Sequence, residues 1–123
     1  MSERSMKQRM IAGEPYRADD PEIIADQLAA AAWMRAFNAT LPPDREALLR
    51  ERLGAVGAGS TIRPPFHCDY GFNIFLGEGV FLNFNCVILD VVEVSIGDGT
   101  QIGTGVQILT ADHPRDAVER ALE

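Results

Sequence analysis

Between Leu76 and Leu109 the apolar positions recur every six residues. Written in sixes, the stretch reads LGEGVF, LNFNCV, ILDVVE, then Val94 and Ser95, then IGDGTQ, IGTGVQ, ILTADH. An aliphatic residue opens every block: Leu76, Leu82, Ile88, Ile96, Ile102 and Ile108. Four places later sits a small or medium apolar residue or Thr: Val80, Cys86, Val92, Thr100 and Val106. A period of six fits neither the 3.6 of a helix nor the alternation of a strand. It predicts a solenoid in which each block is one flat face and three faces close one coil, with the opener and the fifth residue inward. Gly or Asn in a block supplies the left-handed corner that a β-branched residue resists. The spacing starts earlier, at Val56, Ile62, Cys68 and Ile74. The pair Val94-Ser95 shifts the phase and is expected to bulge from one corner. Residues 54–112 then make about three coils of about eighteen residues.

Before Gly54 the pattern is helical. Residues 2–12 predict a short amphipathic helix, with Ser2 as N-cap, Gly13 as stop, and Met6, Met10 and Ile11 on one side. Asp20-Pro21-Glu22 is a helix start, Asp at the cap and Pro at the first helical position. That helix is expected to run to about Phe37, with Ile24, Leu28, Ala31 and Phe37 as its stripe and Trp33 and Met34 beside it. Asn38 and Pro42-Pro43 are expected to end it. A third helix, Asp44 to Leu53, offers Leu48, Leu49 and Leu53 and closes at Gly54. Three short helices are too small to bury their own stripes and must pack against something else. The organisation is therefore a helical segment over 1–53, an incomplete β-helix over 54–112, and a loop or tail over 113–123.

The net charge of −7 argues against nucleic acid and anionic membrane surfaces, which call for basic patches. No apolar run approaches the length of a membrane span, and Met1-Ser2-Glu3-Arg4 begins no secretory signal. The expected location is cytoplasmic. Cys68 and Cys86 lie eighteen residues apart, one coil at that length, so they are expected to stack as buried thiols in the wall. No cluster of His, Cys and Asp suggests a metal.

Several stretches resemble a known family. MIAGEPYRADDPEI resembles the helical N-terminal segment of the maltose and galactoside O-acetyltransferases. FHCDYGFNIFLGEGVFLNFNCVILDVVEVSIGD and ILTADHPRD resemble their hexapeptide-repeat body, with CDYG and TADHP closer to the maltose branch. The resemblance implies a mainly β fold, a left-handed parallel β-helix behind a small α-helical segment. It implies a homotrimer with sites between subunits, no bound cofactor, acetyl-CoA as co-substrate, and transfer of its acetyl group to a sugar hydroxyl. The family continues with further coils where this chain stops at Glu123. A shortened, catalytically silent member that serves as an oligomerisation module is the alternative.

Removing the hydroxyl proton during attack on a thioester needs a base, and His suits that near neutral pH. His113, in TADHP, matches the family's catalytic position; His67, between Phe66 and Cys68, matches none and reads as structural. Asn83 in NFN and Asp69 in CDYG match acceptor-contact positions, and Asp90 in VILD is expected on the same side. Tyr70 and Phe81 could stack on a pyranose or pack in the wall. Asn73 and Asn85 read as corner residues, and Tyr16 and Asp19 lie in a loop that the family brings near the acceptor. Residues that contact acetyl-CoA are not legible.

Overall fold

The computed structural model describes residues 4–110. Three helices precede nine short strands. Helix α1 spans Met6–Ile11. Its cap is Ser5, not Ser2: the Ser5 hydroxyl accepts the Gln8 N–H at 3.0 Å, and Gln8 Oε1 accepts the Ser5 N–H at 2.8 Å. Ser5 has Gln three places on, whereas Ser2 has Ser5 there, so only Ser5 can close this reciprocal box.

Helix α2, Pro21–Asn38, starts as expected, with the Asp20 carboxylate accepting the N–H groups of Glu22 and Ile23. Its inner face differs from the expected stripe. Ile23, Ala30, Trp33 and Phe37 are buried, while Ile24 is exposed and Leu28 is 67% exposed. The run of alanines gives this helix no polar face to orient it. Docking of the two rings decides: Trp33 stacks on Phe37 at 5.0 Å and meets Phe66 edge-on at 6.4 Å. Helix α3, Pro42–Arg52, opens on the two prolines that were expected to end α2. At the first helical positions their missing N–H groups cost nothing.

The strands are β1 Ala55–Val56, β2 Thr61–Ile62, β3 Phe66–Cys68, β4 Ile74–Leu76, β5 Phe81–Leu82, β6 Cys86–Leu89, β7 Val94–Ile96, β8 Gln101–Ile102 and β9 Gln107–Leu109. They stack as three parallel sheets, β1-β4-β7, β2-β5-β8 and β3-β6-β9. This is the mainly β, left-handed parallel β-helix with an α-helical segment in front. Every pair is offset by twenty residues, as in Val56 on Leu76, Ile62 on Leu82 and Ile88 on Ile108. The coil is thus two residues longer than three sixes.

The extra pair sits at the third corner of each coil, after Cys68 and again after Ile88. Each face points two residues inward, two apart, such as Ile74 with Leu76 and Cys86 with Ile88. The six-spaced series therefore passes from the second inward site at Cys68 to the first at Ile74 without breaking step. Val94 is buried in β7 rather than bulging, and takes the place expected for Val92, which is half-buried. Cys68 pairs with Ile88 and Cys86 with Phe66, so the two thiols are buried and free but not stacked on each other.

The helices close the first coil, whose strands would otherwise present an open edge. The Asn38 side chain accepts from the Phe66 N–H at 2.8 Å and donates to the Phe66 carbonyl at 3.0 Å, standing in for a neighbouring strand. Arg50 Nη1 donates to the Val56 carbonyl at 2.7 Å, and the Cys68 N–H meets Met34 Sδ at 3.3 Å. No helix among the described residues is long and apolar enough to cross a membrane.

At the first corner the coils touch backbone to backbone. A Cβ on Gly57 would lie 2.2 Å from the Gly77 carbonyl oxygen, whereas a Cβ on Gly97 meets no atom of the described residues within 4 Å. Gly57→Ala is expected to lower stability by about 3 kcal/mol, because backbone cannot yield as a side chain can. Gly97→Ala, at a φ outside the left-handed region, is expected to change stability by less than about 1 kcal/mol. Thermal unfolding of both variants checks this; equal effects would refute the stacking argument.

Candidate active site

The expected site residues fall on two corners of the triangular section. The third corner carries Asp69 in coil one and Asp90 in coil two. In coil three the chain reaches Thr110, whose hydroxyl donates to the Leu89 carbonyl at 2.6 Å and accepts the Val92 N–H at 3.2 Å. His113, three residues further, lies outside the described residues. The second corner carries Asn83. After the turn at Phe84 and Asn85, five residue steps along β6 lead to Asp90, so the corners stand about 16 Å apart along that face at ~3.3 Å per residue. One chain does not bring Asn83 together with the third corner.

Asp69 is half-buried, and among the described residues its carboxylate accepts no hydrogen bond. Burial holds its pKa above the ordinary carboxylate value, and the charge of Asp90 adds to the shift. It is a carboxylate at the third corner whose lone pairs are open among the described residues.

Asp90 has a different role from the expected acceptor contact. It is 0% exposed. Oδ1 accepts the Tyr70 N–H at 2.9 Å, and Oδ2 accepts those of Gly71 at 2.8 Å and Asn73 at 3.1 Å. Asn73 Nδ2 answers by donating to the carbonyls of Asp90 and Val91. Asp90 therefore ties the third corner of coil two to that of coil one. Burial pushes its carboxyl up, and the backbone N–H groups pull against that.

Tyr70 is wall packing: it is 2% exposed and clusters with Met10 and Ile23, and its hydroxyl accepts from Gln27 Nε2 at 3.2 Å. Burial pushes the Tyr70 phenol up to about 12. Tyr16 packs against this same cluster at the third corner, while Asp19 is exposed and paired with Arg17. Asn85, at φ 61, and Asn73 are corner residues as expected. His67 faces outward from β3 and is exposed.

At the second corner Asn83 is half-buried. Its Oδ1 accepts the Phe84 N–H at 2.8 Å and Arg63 Nη1 at 3.3 Å. The Arg63 guanidinium lies 3.7 Å from the centre of the Phe84 ring, which is 37% exposed. Arg63 was missed because an Arg before two prolines reads as a solvated loop residue. The signal that finds it is the twenty-residue offset from Asn83, visible only once the coil length is known. Among the described residues no His, Cys, Asp and Glu side chains gather into a group able to hold a metal.

Comparison with known proteins places this arrangement. The family described as the maltose acetyltransferase hexapeptide capping motif matches residues 9–57, the helices that close the first coil. Nodulation protein L of Rhizobium meliloti is 60% identical over 120 residues, covering 95% of this chain and 66% of that protein. A maltose O-acetyltransferase from Clostridium difficile superposes with a TM-score of 0.93 at 36% identity, covering 98% of this chain and 66% of the other. A hexapeptide-repeat acetyltransferase from Vibrio cholerae, solved in complex with acetyl coenzyme A, gives a TM-score of 0.87 at 37% identity, covering 98% of this chain and 67% of the other. The chain spans about two thirds of the length of these relatives. Its capping helices, its twenty-residue coils and these likenesses make the chain a member of the maltose and galactoside O-acetyltransferase family of hexapeptide-repeat proteins.

Proposed function

We propose that the protein transfers the acetyl group of acetyl-CoA to a hydroxyl of a sugar such as maltose or glucose. The observation that carries the reading is the Vibrio cholerae relative, which matches 98% of this chain and binds acetyl coenzyme A. In the proposed step His113 takes the proton of the sugar hydroxyl as its oxygen attacks the thioester carbonyl. The C–S bond breaks, and the proton passes to the departing sulfur, leaving the acetyl ester and CoA thiol. Transfer is direct. An acetylated cysteine intermediate would need an accessible thiolate, but Cys68 and Cys86 are both buried, and burial pushes the Cys68 thiol up.

Two open groups support a polyhydroxylated acceptor. Asp69 offers lone pairs to sugar hydroxyls, and Asn83 offers its Nδ2 hydrogens. Because they occupy different corners, the reading requires a second copy that sets its second corner against the third corner of the first. A homotrimer supplies three such junctions. The test is CoA-thiol release from acetyl-CoA with maltose, glucose and a galactoside. Acceptor-dependent release supports the reading; a folded protein with none overturns it in favour of the silent oligomerisation module.

Asp69 also makes the reaction pH-sensitive. Only the ionised carboxylate accepts freely from hydroxyls, and the Asp69 pKa lies above the ordinary value, so its proton returns at a higher pH than for an exposed Asp. The acceptor KM is therefore expected to rise about tenfold on acidification through that raised pKa, the loss of one charge-assisted hydrogen bond. Asp69→Asn is expected to show the high KM throughout with no inflection. An inflection that survives in Asp69→Asn assigns it elsewhere.

A further inference from the structure

Arg63 and Asn83 are twenty residues apart, so they stack directly at the second corner, coil one beneath coil two. Beneath Asn83, Arg63 Nη1 points at Oδ1 from 3.3 Å, and from the chain itself the Phe84 N–H points at the same oxygen from 2.8 Å. Both partners can only donate, so the amide end that meets them must be the oxygen. The planar amide then turns Nδ2 away from Arg63. Nδ2 has no acceptor among the described residues. The residue stacked next, in coil three, is Gly103, where an added Cβ would meet no atom of the described residues within 4 Å. The guanidinium is itself held flat by the Phe84 ring at 3.7 Å, and no carboxylate among the described residues pairs with it.

We propose that Arg63 is a positioning residue that locks the Asn83 amide with its Nδ2 hydrogens turned away from Arg63, toward the coil-three side of the corner. The Asn83 side chain then presents only donors, its Nδ2 hydrogens, to a ligand. It selects an acceptor oxygen that takes a hydrogen bond, such as a ring or glycosidic ether oxygen. The carboxylate of Asp69, at the other corner, takes hydroxyls that give one. This deepens the proposed sugar acetylation and rests on Asn83 as an acceptor contact.

The test reads the amide itself. In the 15N-labelled protein the Asn83 NH2 resonances are identified by their loss in Asn83→Ala. In the native protein their fast motion is expected to be as restricted as that of the corner backbone, and maltose is expected to shift them. In Arg63→Met, which keeps a long stem over Phe84 but has no donor, the amide is expected to become mobile. The maltose affinity is expected to fall about tenfold, the loss of one hydrogen bond to a charged donor, while the thermal unfolding midpoint is unchanged. Arg63→Lys keeps a charge without the flat fork and is expected to restore part of the restraint. An Asn83 amide as restricted in Arg63→Met as in the native protein overturns the proposal. Failure of maltose to shift the native amide overturns the sugar reading instead, and the comparison of amide motion still decides the role of Arg63.

Discussion

His113→Ala is expected to lower the rate of acceptor-dependent CoA-thiol release by about 10²- to 10⁴-fold, the usual contribution of a positioned general base. Acetyl-CoA binding is expected to persist, because the base acts on the acceptor proton. The geometry makes a sharper form of this experiment available. Asn83 and the third corner stand about 16 Å apart in one chain, while a base works only within hydrogen-bond reach of its proton. The proposed reading takes Asn83 from one copy and His113 from another. Chains carrying His113→Ala keep Asn83, and chains carrying Asn83→Ala keep His113. Unfolded together in equal amounts and refolded, they are expected to recover about a quarter of native activity, since random assembly gives one junction in four with both residues intact. Activity no greater than the average of the two separate variants would refute the shared site. Unreduced activity in His113→Ala would refute the base.

The fold was largely legible because a β-helix wall imposes its own period. Every face must bury its inward side chains, so the apolar repeat survives whatever the outward residues do. The coil length was not legible, for a particular reason. Each face has two inward sites, and both series run in sixes, so Val56, Ile62, Cys68, Ile74 and Val80 keep step while changing site. The corners carry the longer coil most plainly: Gly59, Gly79 and Gly99, with φ of 75°, 63° and 71°, recur at twenty, not eighteen, as do Asn85 and Gly105. With coils of eighteen residues Arg63 would stack on Phe81. With coils of twenty it stacks on Asn83.

The helical segment shows the opposite balance. Its starts were written in local chemistry, Asp20 before Pro21 most plainly. Its packing face was not, since alanines on every side of α2 leave the choice to Trp33, Phe37 and the strand edge they cover. At the site, residue type distinguished what a side chain could do but not where it was pointed. Asp69 and Asp90 are both corner aspartates, and only the stacking of Asp90 against the backbone of residues 70–73 separates an open carboxylate from a buried tie.

That tie gives the second large effect. Asp90→Ala leaves three buried N–H groups, those of Tyr70, Gly71 and Asn73, without acceptors. Each such loss costs about 1–3 kcal/mol, and water entering the vacated space recovers part of it. The expected destabilisation is about 4 kcal/mol, a large share of the ~5–15 kcal/mol that holds a domain together. Asp90→Asn separates the charge from the geometry. It keeps its oxygen for the N–H groups of Gly71 and Asn73, but turns its NH2 group against the Tyr70 N–H, so donor meets donor there. It is expected to lose about 2 kcal/mol, between the native protein and Asp90→Ala. Asn73→Ala removes only the return bonds to the carbonyls of Asp90 and Val91, and is expected to cost less than either. The order in denaturant unfolding is thus native, Asn73→Ala, Asp90→Asn, Asp90→Ala. Asp90→Ala as stable as the native protein would mean the corner holds without its carboxylate. Asp90 would then be free for the acceptor contact that its place beside Asp69 first suggested.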